Sequence, residues 1–472
     1  MNDPSKMWPS KMWPPKIWPR VFEGQDFAVL GLGDNGLPAA QSLMAMGAQV
    51  IAWDDDAAKR DAAAQLGIAL AKPSEAAHLD ALILSPGIPH HLPRPHPEAA
   101  AMVARNVAIL SDAELLYRAV RAAGSRARFA GITGTNGKST TTALLAHIIA
   151  GAGIPVASGG NLGPAALALP LLPDHGIYVL EMSSYMLERI ATMRFDAAAM
   201  LNITHDHLDR HGNMTGYVAA KAAIFARQIG TDTAVIGIDD DPSRALADQI
   251  ADQPARVIRI SGHQTTDIYA DQRIVNDQFG LIADLSTAPA LRGTHNAQNA
   301  AAATGMALAL GIDRTTIANA MASFPGLPHR QKWIARVGAV DFIDDSKATN
   351  ADAAARALDS FDRVVWIAGG LGKAGGIDSL TPWFSHVEHA LLIGRDAATF
   401  ATTLARHKVP FEIVETLDRA VPAGYAVATR RGIQTVLLAP AAASFDQFAN
   451  YAERGRHFAA LVHALAKPRG NG

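Results

Sequence analysis

The sequence predicts an α/β protein built on parallel β-sheets, in three domains. Three series of short apolar runs alternate with alanine-rich stretches of helical composition, and these series begin near residues 27, 128 and 333. Such alternation is typical of βαβ units, whose strands lie parallel in one sheet. A chain of 472 residues has room for about three domains of ~150 residues each. We therefore predict domains at 21–117, 118–326 and 327–472, preceded by an extension over 1–20.

The first series opens with glycines in the spacing of a dinucleotide-binding turn. Gly31, Gly33 and Gly36 follow a predicted strand, and Asp54 follows the next one. Such a turn lets a diphosphate approach the start of a helix closely, so we predict a nucleotide diphosphate site. A nicotinamide dehydrogenase would show the same pattern and is the alternative. The candidate residues of this site are Gly31, Gly33, Asp34, Asn35, Gly36, Asp54, Ser85 and Gly87.

The second series contains a phosphate-binding loop. Segment GITGTNGKSTTT, residues 131–142, places a glycine-spaced lysine and hydroxyl between a predicted strand and a predicted helix. Backbone N–H groups and the helix dipole then attract one anion together. The common loop has glycine where Ile132 stands, so this loop is a variant. The predicted ATP-binding residues in it are Gly134, Thr135, Asn136, Gly137, Lys138, Ser139 and Thr140.

Two further strand ends of the second series are candidates for metal binding. Glu181 ends one predicted strand and His207 ends another, and the carboxyl ends of parallel strands meet at one edge of a sheet. The cluster from His205 to His211 suggests zinc, but the helical HExxH spacing of cysteine-free zinc sites is absent from the sequence. Mg²⁺ held mainly by phosphates suits a phosphate-loop protein better.

Lys221 lies on a predicted helix shortly after this cluster. Its spacing from Val218 and Phe225 places all three residues on one helix face. Burial against apolar neighbours lowers the pKa of a lysine. We therefore expect Lys221 to be buried with a lowered pKa, and a solvated helix lysine is the alternative.

The composition excludes several classes of protein. There is no cysteine, which excludes disulfides, thiolate metal sites and cysteine nucleophiles. The formal net charge is −2 without long charged runs, so we expect no nucleic-acid partner. The longest uncharged stretch, 139–173, is interrupted by glycine and proline turns, so no membrane span is predicted. We expect a cytoplasmic protein that acts as a monomer.

A five-residue repeat occupies the N-terminus. Trp8, Trp13 and Trp18 each precede a proline within residues 6–19, and proline at this density excludes a helix. We predict a disordered extension over 1–20. An adhesive motif whose tryptophans dock on a partner surface is the alternative.

The order of the motifs resembles that of the ATP-dependent Mur ligases of peptidoglycan synthesis. The motifs are GITGTNGKST, GGNLG, LEMSSYMLE, NITHDHLDRHG, the spacing from Tyr217 to Lys221, GTHNAQN, PHR and DDSKATN. The DSKATN segment, with GGLGK and LLAPAAASFDQF after it, is similar to the members that add D-glutamate. The DNPR segment of the members that add diaminopimelate or lysine is absent from the sequence. The resemblance covers about residues 25–465.

This resemblance implies a fold and a reaction. The fold has a Rossmann-like N-terminal domain for UDP, a central P-loop-type ATPase domain and a Rossmann-like C-terminal domain for the amino acid. ATP phosphorylates the carboxylate of UDP-N-acetylmuramoyl-L-alanine, and the amine of D-glutamate attacks the acyl phosphate, releasing ADP and phosphate. The implied cofactors are ATP, Mg²⁺ and a carbamylated lysine at Lys221.

The resemblance also assigns roles to individual residues. The implied catalytic residues are Lys138, Glu181, His207 and Lys221, and the implied metal ligands are Ser139, Glu181, His207 and Lys221. The implied ATP contacts outside the phosphate loop are His295, Asn296, Asn299, Arg330 and Asp345. The implied substrate contacts are Asn161 at the muramoyl group and, for D-glutamate, Lys347, Thr349, Lys373, Ser444 and Tyr451. The carboxylate run Asp54, Asp55 and Asp56 departs from the hydroxyl and basic residue often found there.

Two other functions share some of these features. An ATP-switched binding protein that is not an enzyme would also carry the phosphate loop. A folylpolyglutamate synthetase or a Mur ligase for another amino acid would share the central motifs, but the C-terminal segments favour D-glutamate.

Overall fold

The computed structural model describes residues 18–271, 274–291, 293–372 and 375–466. The described residues form three parallel-rich sheets flanked by helices, which confirms the predicted fold class. They divide into two compact units, one up to residue 287 with 294–323, and the other 288–293 with 324 onward. In the part of the chain described, no helix has the length and apolar character needed to cross a membrane.

The first sheet has five parallel strands in the order β3-β2-β1-β4-β5. The strand order reverses between β1 and β4, and open α/β sheets bind ligands at such a switch point. The strands are β1 Asp26–Leu30, β2 Gln49–Trp53, β3 Ala69–Leu70, β4 Ala81–Leu84 and β5 Ala108–Leu110. The helices are α1 Gly36–Ala45, α2 Ala57–Gln65, α3 Pro97–Ala104 and α4 Asp112–Ala122.

The second sheet has nine strands in the order β14-β13-β12-β11-β10-β9-β6-β8-β7, parallel from β7 to β12 and antiparallel beyond. Its strands are β6 Arg128–Thr133, β7 Val156–Gly160, β8 Ile177–Glu181, β9 Ala197–Met200, β10 Thr233–Gly237, β11 Arg256–Ser261, β12 Ile268–Ala270, β13 Ile274–Asp277 and β14 Gly280–Asp284. Its helices are α5 Lys138–Gly151, α6 Ser184–Leu187, α7 Leu208–His211, α8 Met214–Ala222, α9 Asp241–Ile250, α10 Thr294–Ala309 and α11 Arg314–Ser323.

The third sheet, in the second unit, has six strands in the order β15-β16-β20-β17-β18-β19, and only the β15–β16 pair in it is antiparallel among the described strands. Its strands are β15 Lys332–Val337, β16 Val340–Asp344, β17 Val364–Gly369, β18 Val387–Ile393, β19 Phe411–Glu415 and β20 Thr435–Leu438. Its helices are α12 Ala351–Asp359, α13 Ala397–Arg406, α14 Leu417–Arg431 and α15 Tyr451–Ala466.

The central parallel strands of the second sheet are buried on both faces. Strand β6 is buried from Phe129 to Thr133, and helices α5 and α10 pack on each other and on this sheet. Gly131 is required in β6, because a Cβ there would lie 2.6 Å from the ring of Phe195. This close packing fixes the end of β6, from which the phosphate loop begins.

Part of the predicted N-terminal extension is packed. The indole N–H of Trp18 donates to the carbonyl oxygen of Leu169 at 3.2 Å, and its ring packs on the core shared by the first two sheets. Trp8 and Trp13 lie outside the described residues. Trp18 therefore packs on the core although it belongs to the stretch 1–20 predicted as a disordered extension, whereas Pro19 and Arg20 are exposed.

Candidate nucleotide and phosphate site

A cavity of about 460 Å³ opens at the carboxyl ends of β1 and β4. Most of the predicted nucleotide residues line it, and Asn161 joins them from the second sheet. The predicted residues that line the cavity are Gly31, Gly33, Asp34, Asn35, Asp54, Ser85, Gly87 and Asn161. The cavity is large enough for a nucleotide-sized ligand.

Close backbone packing forms the wall of this cavity. A Cβ on Gly36 would lie 1.7 Å from the carbonyl oxygen of Gly31, so only glycine lets α1 begin at this point. The hydroxyl of Ser85 donates to the same carbonyl oxygen at 2.8 Å. The loops after β1 and β4 are therefore joined directly.

The carboxylate run after β2 serves local structure. Asp54 accepts N–H bonds from Leu32 at 2.7 Å and from Asp56 at 2.9 Å, and it lies 3.6 Å from the Lys59 ammonium. Burial raises the pKa of Asp54, but these N–H bonds and Lys59 together lower it below its ordinary value. Asp56 caps α2 by accepting from Ala58. The negative charges are thus partly compensated within the first unit.

The phosphate loop connects β6 to α5 as predicted. Gly137 at the helix start has φ +82°, and a Cβ there would lie 2.1 Å from the side-chain oxygen of Asn299. Ser139 is buried in the first turn of α5. The helix start directs its N–H groups and the positive end of its dipole toward the loop, which is the geometry that binds phosphate.

Two lysines converge on the phosphate loop. Lys138 donates to the carbonyl oxygens of Gly134 and Thr135, both at 2.9 Å, and Lys221 donates to that of Gly134 at 2.8 Å. Lys221 is only 2% exposed. Burial first, and then repulsion from Lys138, hold the pKa of Lys221 far below its ordinary value. The predicted burial and lowered pKa are confirmed, although α8 ends before Phe225.

Asn202 braces the phosphate loop from the segment after β9. Its side-chain oxygen accepts the N–H of Asn136 at 2.8 Å, and its amide donates to Asn136 at 3.3 Å and to Gln298 at 2.9 Å. Its backbone carbonyl accepts from Thr135 at 2.9 Å. The motif NITHDHLDRHG begins with Asn202 but predicts no role for it, although a polar residue just after a buried strand was the available signal.

Glu181 ends β8 as predicted and faces the phosphate loop region. One carboxylate oxygen accepts from the Asn161 amide at 2.8 Å, and the other is buried without a hydrogen-bond partner. The residue is 2% exposed. A buried carboxylate oxygen without a partner is unfavourable unless a cation or donor binds to it.

The prediction that His207 ends a strand is wrong. Strand β9 ends at Met200, and His207 lies in the loop that follows, with φ 51°, immediately before α7. The strand stops early because the polar segment after it turns toward the phosphate loop, where Asn202 bonds. Nδ1 of the His207 ring forms a 2.8 Å hydrogen bond with the Tyr185 hydroxyl. Its other nitrogen lies 3.4 Å from Asp206.

Residues of the predicted metal set fit Mg²⁺ better than zinc. Within the described ranges, no three or more His, Asp or Glu side chains are grouped to hold a metal. The unpartnered oxygen of Glu181 and the hydroxyl of Ser139 are hard oxygen donors of the kind that Mg²⁺ prefers. Mg²⁺ bound to phosphates needs few protein ligands, so this sparse set fits it.

Asn296 and Asn299 lie beside the phosphate loop. Asn299 accepts from the Thr141 hydroxyl at 3.2 Å and donates to Asn296 at 3.0 Å. Both asparagines are buried. The side chain of His295 lies outside what the structure describes.

The second unit carries two of the predicted ATP contacts, Arg330 and Asp345, and the described residues of the predicted D-glutamate set. Asp345 is buried, which raises its pKa to about 7, although Gln331 donates to it and Arg330 is nearby. The Lys347 ammonium lies 5.5 Å from the centre of the Tyr451 ring. Arg330 is exposed, Thr349 and Tyr451 are half-buried and Ser444 is buried, whereas Lys373 lies outside the described residues.

A buried arginine braces this part of the second unit. Arg454 donates to the hydroxyl of Ser346 at 3.0 Å and to the carbonyl oxygens of Ser346 and Ala442 at 2.9 and 3.1 Å. These bonds join the loop of Lys347 to the segment that leads to Ser444. No motif in the sequence marks Arg454.

Comparison with known proteins identifies the class. Residues 132–307 match the family model described as the Mur ligase middle domain. The crystal structures of UDP-N-acetylmuramate-alanine ligase MurC from Thermotoga maritima and MurF from Acinetobacter baumannii share the fold. The MurC structure has a TM-score of 0.57 at 16% identity and covers 93% of this chain and 99% of its own. The MurF structure has a TM-score of 0.58 at 19% identity and covers 95% of this chain and 92% of its own. The phosphate loop lies within the matched residues, so the fold and the site are those of a protein with a Mur ligase middle domain.

Similarity to curated proteins narrows the family further. The chain is 45% identical over 451 residues to the UDP-N-acetylmuramoylalanine--D-glutamate ligase of Paramagnetospirillum magneticum, covering 94% of this chain and 98% of that protein. It is 46% identical over 464 residues to the ligase of the same name from Rhodospirillum rubrum, covering 95% and 96%. The chain belongs to the UDP-N-acetylmuramoylalanine--D-glutamate ligase family.

Proposed function

We propose that this protein is an ATP-dependent ligase that joins D-glutamate to UDP-N-acetylmuramoyl-L-alanine in peptidoglycan precursor synthesis. The observation that carries the proposal is the identity of about 45% to ligases of that name over nearly the whole chain. The two lysines that donate to the carbonyl oxygen of Gly134 add a chemical argument, because they place basic side chains at the phosphate loop. The family membership leaves no reason to retain the dehydrogenase or the binding-protein alternative.

The reaction needs a carboxylate to become an electrophile. The carboxylate oxygen of the alanine attacks the γ-phosphorus of ATP, and ADP leaves. The neutral amine of D-glutamate then attacks the acyl carbon, the carbon–oxygen bond to phosphate breaks, and the phosphate leaves with the proton that the amine loses. Both steps bring anions together, so positioned cations lower the barrier. Lys138 and the start of α5 supply positive charge at the phosphates.

A bound Mg²⁺ would supply charge neutralisation at the ATP phosphates. Glu181 would hold it through its unpartnered oxygen, and Ser139 through its hydroxyl. His207 would contribute from its loop, where Tyr185 fixes the ring. Asn161 orients the Glu181 carboxylate by donating to its other oxygen.

Lys221 would carry a carbamate in the active protein. Only the neutral amine adds to CO₂, and the lowered pKa of Lys221 keeps its amine neutral at a lower pH than an exposed lysine. The product would be an anion on a side chain that is 2% exposed as lysine, close to the Lys138 ammonium. The carbamate would replace repulsion between two ammonium groups with attraction.

The nucleotide sugar would bind in the cavity at the ends of β1 and β4, with Asn161 near the muramoyl group. D-glutamate would bind in the second unit, where Lys347, Thr349 and Ser444 carry donors for its two carboxylates. The three sheets support domains at 21–117, 118–326 and 327–472. We place the protein in the cytoplasm, where its nucleotide substrates are made.

The test is amide formation with labelled glutamate. The protein is incubated with ATP, Mg²⁺, UDP-N-acetylmuramoyl-L-alanine and isotopically labelled D- or L-glutamate, and the nucleotide product is separated and counted. Incorporation of the D-isomer alone supports the proposal. Incorporation of neither isomer, or of the L-isomer, contradicts it.

A further inference from the structure

Arg189 lies buried where the first and second sheets of the first unit meet. It follows α6 by two residues and is 2% exposed. No carboxylate accepts from its guanidinium in the described structure. A buried cation without an ion pair is unfavourable unless hydrogen bonds hold it, so the partners of Arg189 are informative.

All the N–H donors of Arg189 point at one short segment. Nη1 donates to the carbonyl oxygens of Leu84 at 2.8 Å and Ser85 at 3.1 Å. Nη2 donates to Ile88 at 2.7 Å and to Nδ1 of His90 at 3.3 Å. Nε points at the same His90 nitrogen at 3.4 Å. These five contacts match the five N–H donors of a guanidinium, and the two contacts to His90 share the single lone pair of its Nδ1.

This segment, residues 84–90, comprises the last residue of β4 and the loop after it, which lines the nucleotide cavity. Ser85, Gly87 and Ile88 form part of the cavity wall. Arg189 reaches across from the second sheet and holds the loop by its backbone. The position of the cavity wall therefore depends on a residue that lies outside the cavity lining.

The preceding residue, Glu188, bonds in another direction. It lies 2.8 Å from His211 and 3.7 Å from Arg210, both in α7, which begins directly after His207. Arg210 also lies 3.2 Å from Nδ1 of His90. Two consecutive residues thus connect the nucleotide loop to the segment that carries a proposed metal ligand.

We propose that Arg189 is a positioning residue that sets the nucleotide-sugar loop at a fixed place relative to the phosphate site. This inference rests on the proposed function, because it assigns the cavity to the nucleotide sugar. Arginine is required at this position. The three N–H donors of lysine are all on one nitrogen atom, so they cannot reach four acceptors spread along the loop.

The experiment compares Arg189→Lys with Arg121→Lys. Arg121 also donates to two backbone carbonyl oxygens, those of Ser125 and Ala127, both at 2.9 Å, but it holds a loop away from the cavity. Thermal unfolding and the KM values for all three substrates are measured for both variants and for the unaltered protein.

We expect Arg189→Lys to raise KM for UDP-N-acetylmuramoyl-L-alanine about tenfold, with KM for ATP within about twofold of the original. Arg121→Lys should lower the melting temperature without this selective change. Equal changes in every KM, or a lowered melting temperature with all KM values unchanged, would overturn the proposal.

A second variant covers the case in which Arg189→Lys fails to fold. In His90→Leu the guanidinium keeps its carbonyl bonds but loses its bonds to the imidazole, and a selective rise in the nucleotide-sugar KM is again expected. An unchanged KM there would overturn the proposal. If the unaltered protein does not use the nucleotide sugar at all, the proposed function fails instead.

Discussion

Lys138 and Lys221 donate to the same carbonyl oxygen, that of Gly134, at 2.9 and 2.8 Å. Two ammonium groups therefore lie close together at the base of the phosphate loop. Their repulsion adds to burial in lowering the pKa of Lys221. This pair links the sequence motif to the chemistry that we propose. Phosphate and carbamate are both anions, and either one would reduce the repulsion between the two positive charges.

Replacing Lys221 by alanine should reduce turnover about a hundredfold or more, because a preorganised charge at the phosphate site is lost. The lysine is buried but not in an ion pair, so the variant should fold. Phosphate release and thermal unfolding are the measurements. Lys408→Ala, on an exposed turn of the second unit, is the control.

The carbamate can be observed directly. With isotopically labelled bicarbonate, the unaltered protein should show a carbamate carbon signal in its NMR spectrum, and Lys221→Ala should lack it. Full turnover of the alanine variant would contradict the role of Lys221 in the reaction, and the same signal in both proteins would contradict its modification.

Replacing Asn202 by alanine should loosen the phosphate loop. The variant loses the acceptor for the N–H of Asn136 and the donor to Gln298. We expect KM for ATP to rise about tenfold while KM for the other substrates stays the same.

Asn350→Ala is the matched control for Asn202→Ala, because Asn350 accepts the N–H of Ala353 at the start of α12. Its loss should cost about 1 kcal/mol of stability without changing KM for ATP. A rise in the KM for ATP in both variants would show that general destabilisation is the cause.

The stability contribution of Asp54 should disappear in acid. Its folded pKa lies below the ordinary value, so its contribution is present above about pH 4 and is lost as the pH falls through the folded pKa. Asp54→Asn should lower the melting temperature at pH 7, since only one oxygen remains to accept from Leu32 and Asp56. The difference in melting temperature between the variant and the unaltered protein should shrink as the pH falls from 7 to 3. A constant difference would refute this.

Asp345 should show the opposite dependence. Burial raises its pKa to about 7 from an ordinary 3.8, so its folded form binds a proton that the unfolded form has lost. Its stability contribution is present below about pH 4 and is lost as the pH rises toward 7. Asp345→Asn should therefore become more stable relative to the unaltered protein between pH 4 and 8.

The sequence was sufficient to predict features whose pattern lies within one short segment. The phosphate loop, the strand before it and the glycine turn at Gly31 lie where their spacing predicts. Lys221 was predicted to be buried from its apolar helix face, and it is. Local patterns of this kind depend on backbone geometry that nearby residues determine.

Features that depend on distant contacts were not predicted. Strands β13 and β14 form an antiparallel edge without a βαβ pattern, and β15 pairs antiparallel with β16. His207 is carried by a loop instead of a strand end. The partners of Arg189 lie about a hundred residues away, so no local pattern marks it.

The most direct test of the account is phosphate release from ATP and Mg²⁺ with each substrate omitted in turn. We predict rapid release only when UDP-N-acetylmuramoyl-L-alanine and D-glutamate are both present, because the acyl phosphate turns over by reaction with the amine. Equal release without the nucleotide sugar, or with another amino acid in place of D-glutamate, would contradict the proposed ligase.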